Sequence, residues 1–297
     1  MAISSAEGSK KKEIRERLLA LLLFGAVFAA IFLVGITLYI ASGGADPGVG
    51  VENSIPTFLL YTLLAILPSF VWLFFFLKTD KDPEPRTRIL IIFLLGIVSA
   101  IPILFFEKSL LFLINNYLGD DQTGLFAASF TSFLKIFAAV AFVEEIFKYL
   151  VVRLAVVNHQ EFDEPIDAPI YMITSALGFA AAENVLVLNS TVWASPEWPF
   201  YTILMRFLGA TFLHALSSAV FGCFIALSFY NLKKRNLYFL SGLGLAVLLH
   251  GLFNFFIMKS ENFSQFEFLI LILIGVALVL FSLSKKIKKL KNICKLN

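Results

Sequence analysis

The sequence has few charged residues and few cysteines, and both scarcities narrow the possible folds. Only 15% of its 297 residues are charged and 59% are hydrophobic, whereas about a quarter of an ordinary soluble domain is charged. So much apolar surface, which includes 34 phenylalanines, cannot be hidden in one water-soluble core. The two cysteines give neither a disulfide framework nor a metal-binding spacing. The composition therefore predicts an integral membrane protein, with the lipid bilayer as a partner and no nucleic acid.

Eight apolar runs are long enough to cross a bilayer, and a membrane-spanning helix needs about 20 such residues. Runs of this length are helical, because a helix bonds all of its backbone groups internally. We therefore predict an all-α fold: a polytopic membrane helix bundle of about eight transmembrane helices, forming a single integral membrane domain over residues 1–297. The runs lie at residues 18–40, 55–77, 89–114, 129–157, 168–189, 200–230, 238–258 and 266–284.

Basic residues indicate how these helices are oriented, because Lys and Arg favour cytoplasmic connections. They cluster in four segments on one predicted side, at residues 1–17, 78–88, 231–236 and 285–297. Both termini are therefore predicted to be basic cytoplasmic tails, 1–17 and 285–297, of a multi-pass membrane protein. The connections between spans are too short to hold a catalytic domain outside the membrane.

Several ionisable residues fall inside the apolar runs, where a charge costs on the order of 2.5–3.5 kcal/mol and marks a candidate functional site. At about 1.5 Å per residue, they lie at similar depth on four consecutive helices and predict one shared pocket. Lys148 follows two glutamates by one turn and can neutralise either, and Arg206 is a second candidate for compensating charge. Ser217, Ser218 and Thr211 are interpreted as packing hydroxyls. The pocket residues are Glu144, Glu145, Lys148, Glu183, Arg206, His214, His250 and Asn254.

The residue types in this pocket limit its chemistry. All aspartates lie in loops or at helix ends, which excludes a buried aspartyl pair, and neither H-E-x-x-H nor G-x-S-x-G occurs. Glutamate with histidine can activate water as a general base. The same groups can instead hold a divalent metal such as zinc. If a metal is present, the predicted ligands are Glu144, Glu183, His214 and His250, and the sequence leaves both mechanisms open.

Four blocks occur in order on these helices: Glu144-Glu145-x-x-Lys148, Phe179-x-x-x-Glu183, His214 with Gly222, and His250-x-x-x-Asn254. They resemble the motifs of the PrsW family, which belongs to a group of glutamate-dependent intramembrane proteases that also includes the CAAX prenyl proteases. The resemblance covers residues 78–258, a protease-like core. It implies hydrolysis of a peptide bond in a membrane protein, typically site-1 cleavage of a single-span regulator such as an anti-sigma factor.

The resemblance also implies roles. Glu144 activates water, with Glu183 as partner base or ligand. Glu145 is a further catalytic candidate, although adjacent glutamates point about 100° apart, so one of the two is expected to face the pocket and the other to anchor Lys148. His214 and His250 polarise the carbonyl or coordinate a metal, Asn254 orients His250 or binds the oxyanion, and Lys148 compensates charge. Tyr149 and Glu183 replace an arginine and a histidine of the CAAX branch, which argues against prenyl-protein processing. Two alternatives stay open: a proton- or ion-coupled transporter, disfavoured by the lack of an inverted repeat, and a non-catalytic membrane scaffold.

Overall fold

The computed structural model describes residues 55–78, 84–118, 130–156, 162, 164–194, 206–259 and most of 271–282. Every regular element in these ranges is a helix, so the all-α fold class is confirmed. The predicted first span at 18–40 and the tails at 1–17 and 285–297 lie outside the described residues.

Six helices, numbered α1 to α6, fill the described ranges up to residue 259. They are α1 (Ile55–Leu77), α2 (Arg86–Leu118), α3 (a π-helical segment Leu134–Ala141 continued by the α-helical Phe142–Ala155), α4 (Asp167–Ala194), α5 (a π-helical segment Arg206–Ala210 continued by Thr211–Tyr230) and α6 (Arg235–Lys259). A shorter apolar helix covers Leu273–Ser282.

Four of these helices are long and apolar enough to cross a membrane: α2, α4, α5 and α6. In an apolar stretch of 18 residues within α4 and within α5, 72% and 83% of the residues are buried inside the protein, whereas the values for α2 and α6 are 39% and 33%. The two inner helices therefore form the centre of the bundle, and the outer two present more of their apolar surface to the surroundings. Helix α4 contacts α1, α2, α3 and α5, while α6 packs on α5 and α3.

Close packing around α4 depends on glycine. A Cβ atom added to Gly178 of α4 would lie 2.1 Å from the Phe93 carbonyl oxygen, and one added to Gly96 of α2 would lie 2.3 Å from the Ser175 carbonyl oxygen. On the α5 side, a Cβ on Gly222 would lie 2.4 Å from the Cα of Pro169. Small residues allow membrane helices to approach backbone to backbone, and here they hold α2 and α5 against α4.

Two π-helical segments directly precede the parts of α3 and α5 that carry the predicted site. A π turn widens a helix by one residue and is frequent at functional sites. The widened turn of α5 is braced by Trp72 of α1, whose indole Nε1 donates to the Phe207 carbonyl oxygen at 2.9 Å. The Trp72 ring also stacks on Phe212, with ring centroids 4.1 Å apart. These contacts fix the start of α5 relative to α1.

Candidate active site

Four helices bring ionisable side chains together in the centre of the bundle. Helix α3 contributes Glu144, Glu145 and Lys148, α4 contributes Glu183, α5 contributes His214, and α6 contributes His250. All except Glu183 are almost completely buried. The residues that the sequence places at one depth therefore lie side by side in the structure.

Lys148 is the cation at the centre of this cluster. Its Nζ lies 3.0 Å from Glu144 Oε2, 2.9 Å from Glu145 Oε1 and 3.0 Å from His214 Nδ1. It also lies over the Phe179 ring, 4.7 Å from the ring centroid, where a cation is attracted to the π face. The Lys148 ammonium therefore pairs with both glutamates of α3, and each of its three N–H donors has a partner.

The two adjacent glutamates of α3 have different surroundings. Glu145 accepts hydrogen bonds from Lys148, from Ser218 Oγ at 2.8 Å and from Ser217 Oγ at 3.3 Å, and His250 Nδ1 lies 3.0 Å from its Oε1. These serines, interpreted from the sequence as packing hydroxyls, instead hold Glu145 in place. Glu145 is thus an anchored carboxylate, since all of its neighbours are donors.

Glu144 faces both imidazoles, and the hydrogen bonds assign the tautomer of each ring. His250 Nδ1 contacts Glu145, so it carries the proton and leaves the lone pair of Nε2, which lies 3.8 Å from Glu144 Oε2. His214 Nε2 donates to Glu183 Oε2 at 2.9 Å, which leaves Nδ1 unprotonated 3.7 Å from the same Glu144 oxygen. Both unprotonated ring nitrogens therefore lie near the same Glu144 oxygen, and the Lys148 ammonium contacts that oxygen and His214 Nδ1.

These three residues are also a possible metal-ligand set. Glu144, His214 and His250 each offer one ligand atom, and the three atoms lie within 4.8 Å of one another. Glu183 was the fourth ligand predicted from the sequence, but it is not part of this group and bonds the other nitrogen of His214. A carboxylate in that position orients a ligating histidine rather than coordinating the metal itself.

One side of the cluster is more open than the other. The side chain of Glu183 is 30% exposed, and its ion-pair partner Arg206 is 15% exposed, with Arg206 Nη2 2.6 Å from Glu183 Oε2. Arg206 Nε also donates to Asn184 Oδ1. The Asn184 amide in turn donates to the Ala65 carbonyl at 3.2 Å and to Thr211 Oγ1 at 2.9 Å. Arg206 therefore pairs with Glu183, as a charge-compensating residue would, and is itself held by an amide clamp.

Two residues differ from the sequence-based expectation. Asn254 lies one turn beyond His250 on α6 and is half-buried, but none of the hydrogen bonds among the described residues joins its side chain to the cluster. Glu107 of α2 was not predicted, although it is close enough to Glu144 and Glu183 for electrostatic interaction. The sequence could have indicated Glu107, because it is a carboxylate at the helical spacing of an otherwise apolar stripe that contains Ile103 and Leu110.

The fold and the cluster together fit one class of protein: hydrolases embedded in a membrane, with carboxylates and imidazoles gathered among apolar helices. The sequence profile of the "PrsW family intramembrane metalloprotease" matches residues 84–283, which is most of the chain. The chain therefore belongs to the PrsW family of intramembrane proteases, and it is a peptidase.

Curated relatives agree with this assignment. The chain is 29% identical over 193 residues to "Protease PrsW" of Geobacillus kaustophilus, covering 65% of this chain and 77% of the relative. It is 30% identical over 191 residues to "Protease PrsW" of Bacillus subtilis, covering 64% and 78%. It is 27% identical over 234 residues to "Protease PrsW" of Clostridioides difficile, covering 77% and 91%. No solved structure matches the fold.

Proposed function

We propose that this peptidase is an endopeptidase that makes a site-1-type cut in a single-span membrane regulator, such as an anti-sigma factor, and activates the attacking water at Glu144. The observation that carries this proposal is the position of Glu144 Oε2, which lies 3.7 Å from His214 Nδ1 and 3.8 Å from His250 Nε2. A water bound beside this oxygen would be near a carboxylate, two imidazoles and the Lys148 ammonium, which contacts Glu144 Oε2 and His214 Nδ1.

The chain's own residues supply the proton transfers. Glu144 takes a proton from the water while the water oxygen attacks the substrate carbonyl carbon. Glu144 then returns a proton to the nitrogen that leaves when the peptide bond breaks. Glu145 and Glu183 hold the two imidazoles in the required tautomers. Lys148 keeps positive charge beside Glu144, and Asn254 remains the predicted donor to the oxyanion.

The three-residue ligand set fits a divalent metal such as zinc. Zinc lies about 2.0–2.2 Å from nitrogen and oxygen ligands, so two ligand atoms on one ion are at most about 4 Å apart. The two separations from Glu144 Oε2 satisfy this limit, and all three ligand atoms lie within 4.8 Å of one another, so a small approach of the two rings would complete the set. Glu144, His214 and His250 would hold the ion, which when bound would supply Lewis acidity toward water. Lys148 Nζ contacts Glu144 Oε2 and His214 Nδ1, two of the same ligand atoms, so Lys148 must move aside when the metal binds. A metal-free glutamic mechanism is the alternative that the experiment below separates.

The proposed setting is a bacterial plasma membrane crossed by eight helices, with both termini in the cytoplasm. Four helices of sufficient length and apolarity support it. The basic residues at the start of α2 and between α5 and α6 lie on the side that the positive-inside rule assigns to the cytoplasm.

The test is cleavage of a single-span reporter protein co-reconstituted with the full-length chain in liposomes. We expect Glu144→Gln to lower the cleavage rate by about 10³-fold, within the range that loss of a general base gives, while the thermal unfolding temperature stays near that of the wild type. Lys108→Gln, which removes an exposed charge of α2, is the matched control and should cleave normally.

Metal content is measured on the same preparations by elemental mass spectrometry. About one zinc per wild-type chain, lost in His214→Ala, would support the metal mechanism. Full cleavage with no bound metal, persisting after chelation, would support the glutamic one. Undiminished cleavage by Glu144→Gln would remove Glu144 from the reaction and overturn the proposal.

A further inference from the structure

Glu107 is a carboxylate within an apolar stripe of α2. Ala100, Ile103 and Leu110 follow the three- and four-residue spacing of one helix face, and Glu107 falls between the last two at the same spacing. The stripe packs against α3 and α4 in one cluster with Val143, Phe147, Phe179 and Ala182. Glu107 therefore faces the junction of these three helices.

This junction adjoins the active site. Val143 and Ala182 directly precede Glu144 and Glu183 in the chain. The Glu107 carboxylate is repelled by both of these glutamates and attracted by Lys148. A fourth carboxylate thus stands beside the three already described, on a helix that the sequence motifs do not include.

The other three carboxylates have cationic partners and Glu107 has none. Glu144 and Glu145 pair with Lys148, and Glu183 pairs with Arg206. Among the described residues, Glu107 forms neither a hydrogen bond nor an ion pair. Lys148 attracts Glu107 only at a distance and is bonded to other groups. Glu107 therefore has no direct cationic partner among the described residues.

Glu107 also lies on the open side of the cluster. Glu183 and Arg206 keep 30% and 15% of their side-chain surface exposed, and Glu107 is half-buried. Lys148, Glu145 and His250 on the opposite side are at most 1% exposed. Because Glu107 also interacts electrostatically with Glu183 and Glu144, a substrate that reached Glu144 from the open side would come close to Glu107.

We propose that Glu107 is a specificity-determining residue that pairs with a basic side chain of the substrate, Lys or Arg, close to the scissile bond. A basic group satisfies both the missing hydrogen bonds and the missing charge, whereas a backbone N–H supplies only a hydrogen bond. Such side chains are available, because single-span proteins carry Lys and Arg beside their apolar span. The inference rests on the proposed peptidase site at Glu144.

The experiment uses a single-span reporter that the reconstituted wild-type protein cleaves, with the cut position read by mass spectrometry. The reporter is remade with Lys, Gln or Glu at each of four positions on either side of the cut. We expect wild type to prefer Lys over Gln at one or more positions by on the order of tenfold in kcat/KM, the factor that about 1.4 kcal/mol provides. The preference should appear mainly in KM.

Variants of α2 assign the preference to its source. Glu107→Gln should remove it, and Glu107→Lys should reverse it so that Glu becomes the favoured substrate residue. The matched controls are Lys108→Gln and Ser109→Ala, since Lys108 is exposed and Ser109 Oγ bonds the Phe105 carbonyl of its own helix. Both controls should keep the wild-type preference.

Each outcome separates this inference from the function on which it rests. If the wild type cleaves, Glu144→Gln does not, and Glu107→Gln keeps the same ranking of reporters, then Glu107 does not read substrate charge and the inference is overturned. An equal loss of all reporters in Glu107→Gln, without recovery by any charge swap, overturns it as well. If Glu144→Gln cleaves as well as wild type, the proposed function itself fails.

Discussion

The two sides of the candidate active site each hold a glutamate with a histidine and a basic residue, but they differ in how deeply the glutamate is buried. On the closed side, Glu145 has contacts with Lys148, His250, Ser217 and Ser218, and each of these contacts is buried. On the open side, Glu183 is held by His214 and Arg206 and stays partly exposed. Glu145 therefore has four buried neighbours that hold its carboxylate, whereas Glu183 is held by two neighbours and remains 30% exposed.

Glu144 lies between the two sides and is the carboxylate that both histidines face. Its neighbours on the closed side are rigidly held, so its position is set in advance of substrate. On the proposed function, a substrate would approach Glu144 from the open side, where Glu183 and Arg206 are partly exposed. The closed side around Glu145 would thus hold Glu144 in place, and the open side around Glu183 would admit the substrate.

The largest expected effect is on the closed side. Lys148→Met leaves Glu144 and Glu145 buried without a cation, which costs about 3–5 kcal/mol when one partner of a buried ion pair is removed. The measurement is the free energy of unfolding in mixed micelles titrated with SDS. Lys108→Met, an exposed lysine of α2, should leave the unfolding curve unchanged. Equal stability of both variants would mean that Lys148 does not compensate the glutamates.

A smaller effect is expected from one donor of the closed side. Ser218→Ala removes the 2.8 Å hydrogen bond to Glu145 Oε2 and should cost about 1–3 kcal/mol, the range for depriving a buried acceptor of its partner. Ser228→Ala is the matched control, because Ser228 lies buried on the same helix and bonds the Ile225 carbonyl at 2.7 Å. A loss no larger than in this control would show that Glu145 does not need Ser218.

The smallest effect is expected on the open side. Arg206→Gln removes the ion pair to Glu183, but the Glu183 side chain is 30% exposed and keeps its contact with His214, so the loss should be about 1 kcal/mol. The same SDS titration measures it. If Arg206→Gln destabilised the protein as much as Lys148→Met, the distinction between a closed and an open side would be wrong.

The sequence predicted the composition of the cluster better than its internal connections. Depth on each apolar run follows from counting residues, which is why Glu144, Glu183, His214 and His250 could be placed together. Which nitrogen of each ring meets which carboxylate depends on how the helices are rotated about their axes. The sequence carries no direct measure of that rotation, so the contact between Glu183 and His214 Nε2 required the structure.

Other features were missed for identifiable reasons. The serines of α5 look like ordinary small residues of a membrane helix, and only the position of Glu145 on a neighbouring helix distinguishes Ser218 from Ser228. The π-helical segments differ from α-helix by one residue per turn over a short stretch, which an apolar run of 20 residues does not reveal. Glu107 is followed by Lys108 in the chain, and in the sequence alone these adjacent opposite charges look like an ion pair that needs no other partner.

The contact between Gly96 and Gly178 has a mechanical consequence for the enzyme. Because the two backbones touch there without intervening side chains, a rocking motion of α2 against α4 would pivot at this point. Displacement grows with distance from a pivot, so the same rotation would move Glu107 more than it would move the residues beside the glycines. A change of a few degrees in the angle between these helices would therefore alter the width of the substrate entrance while the backbone contact stays closed.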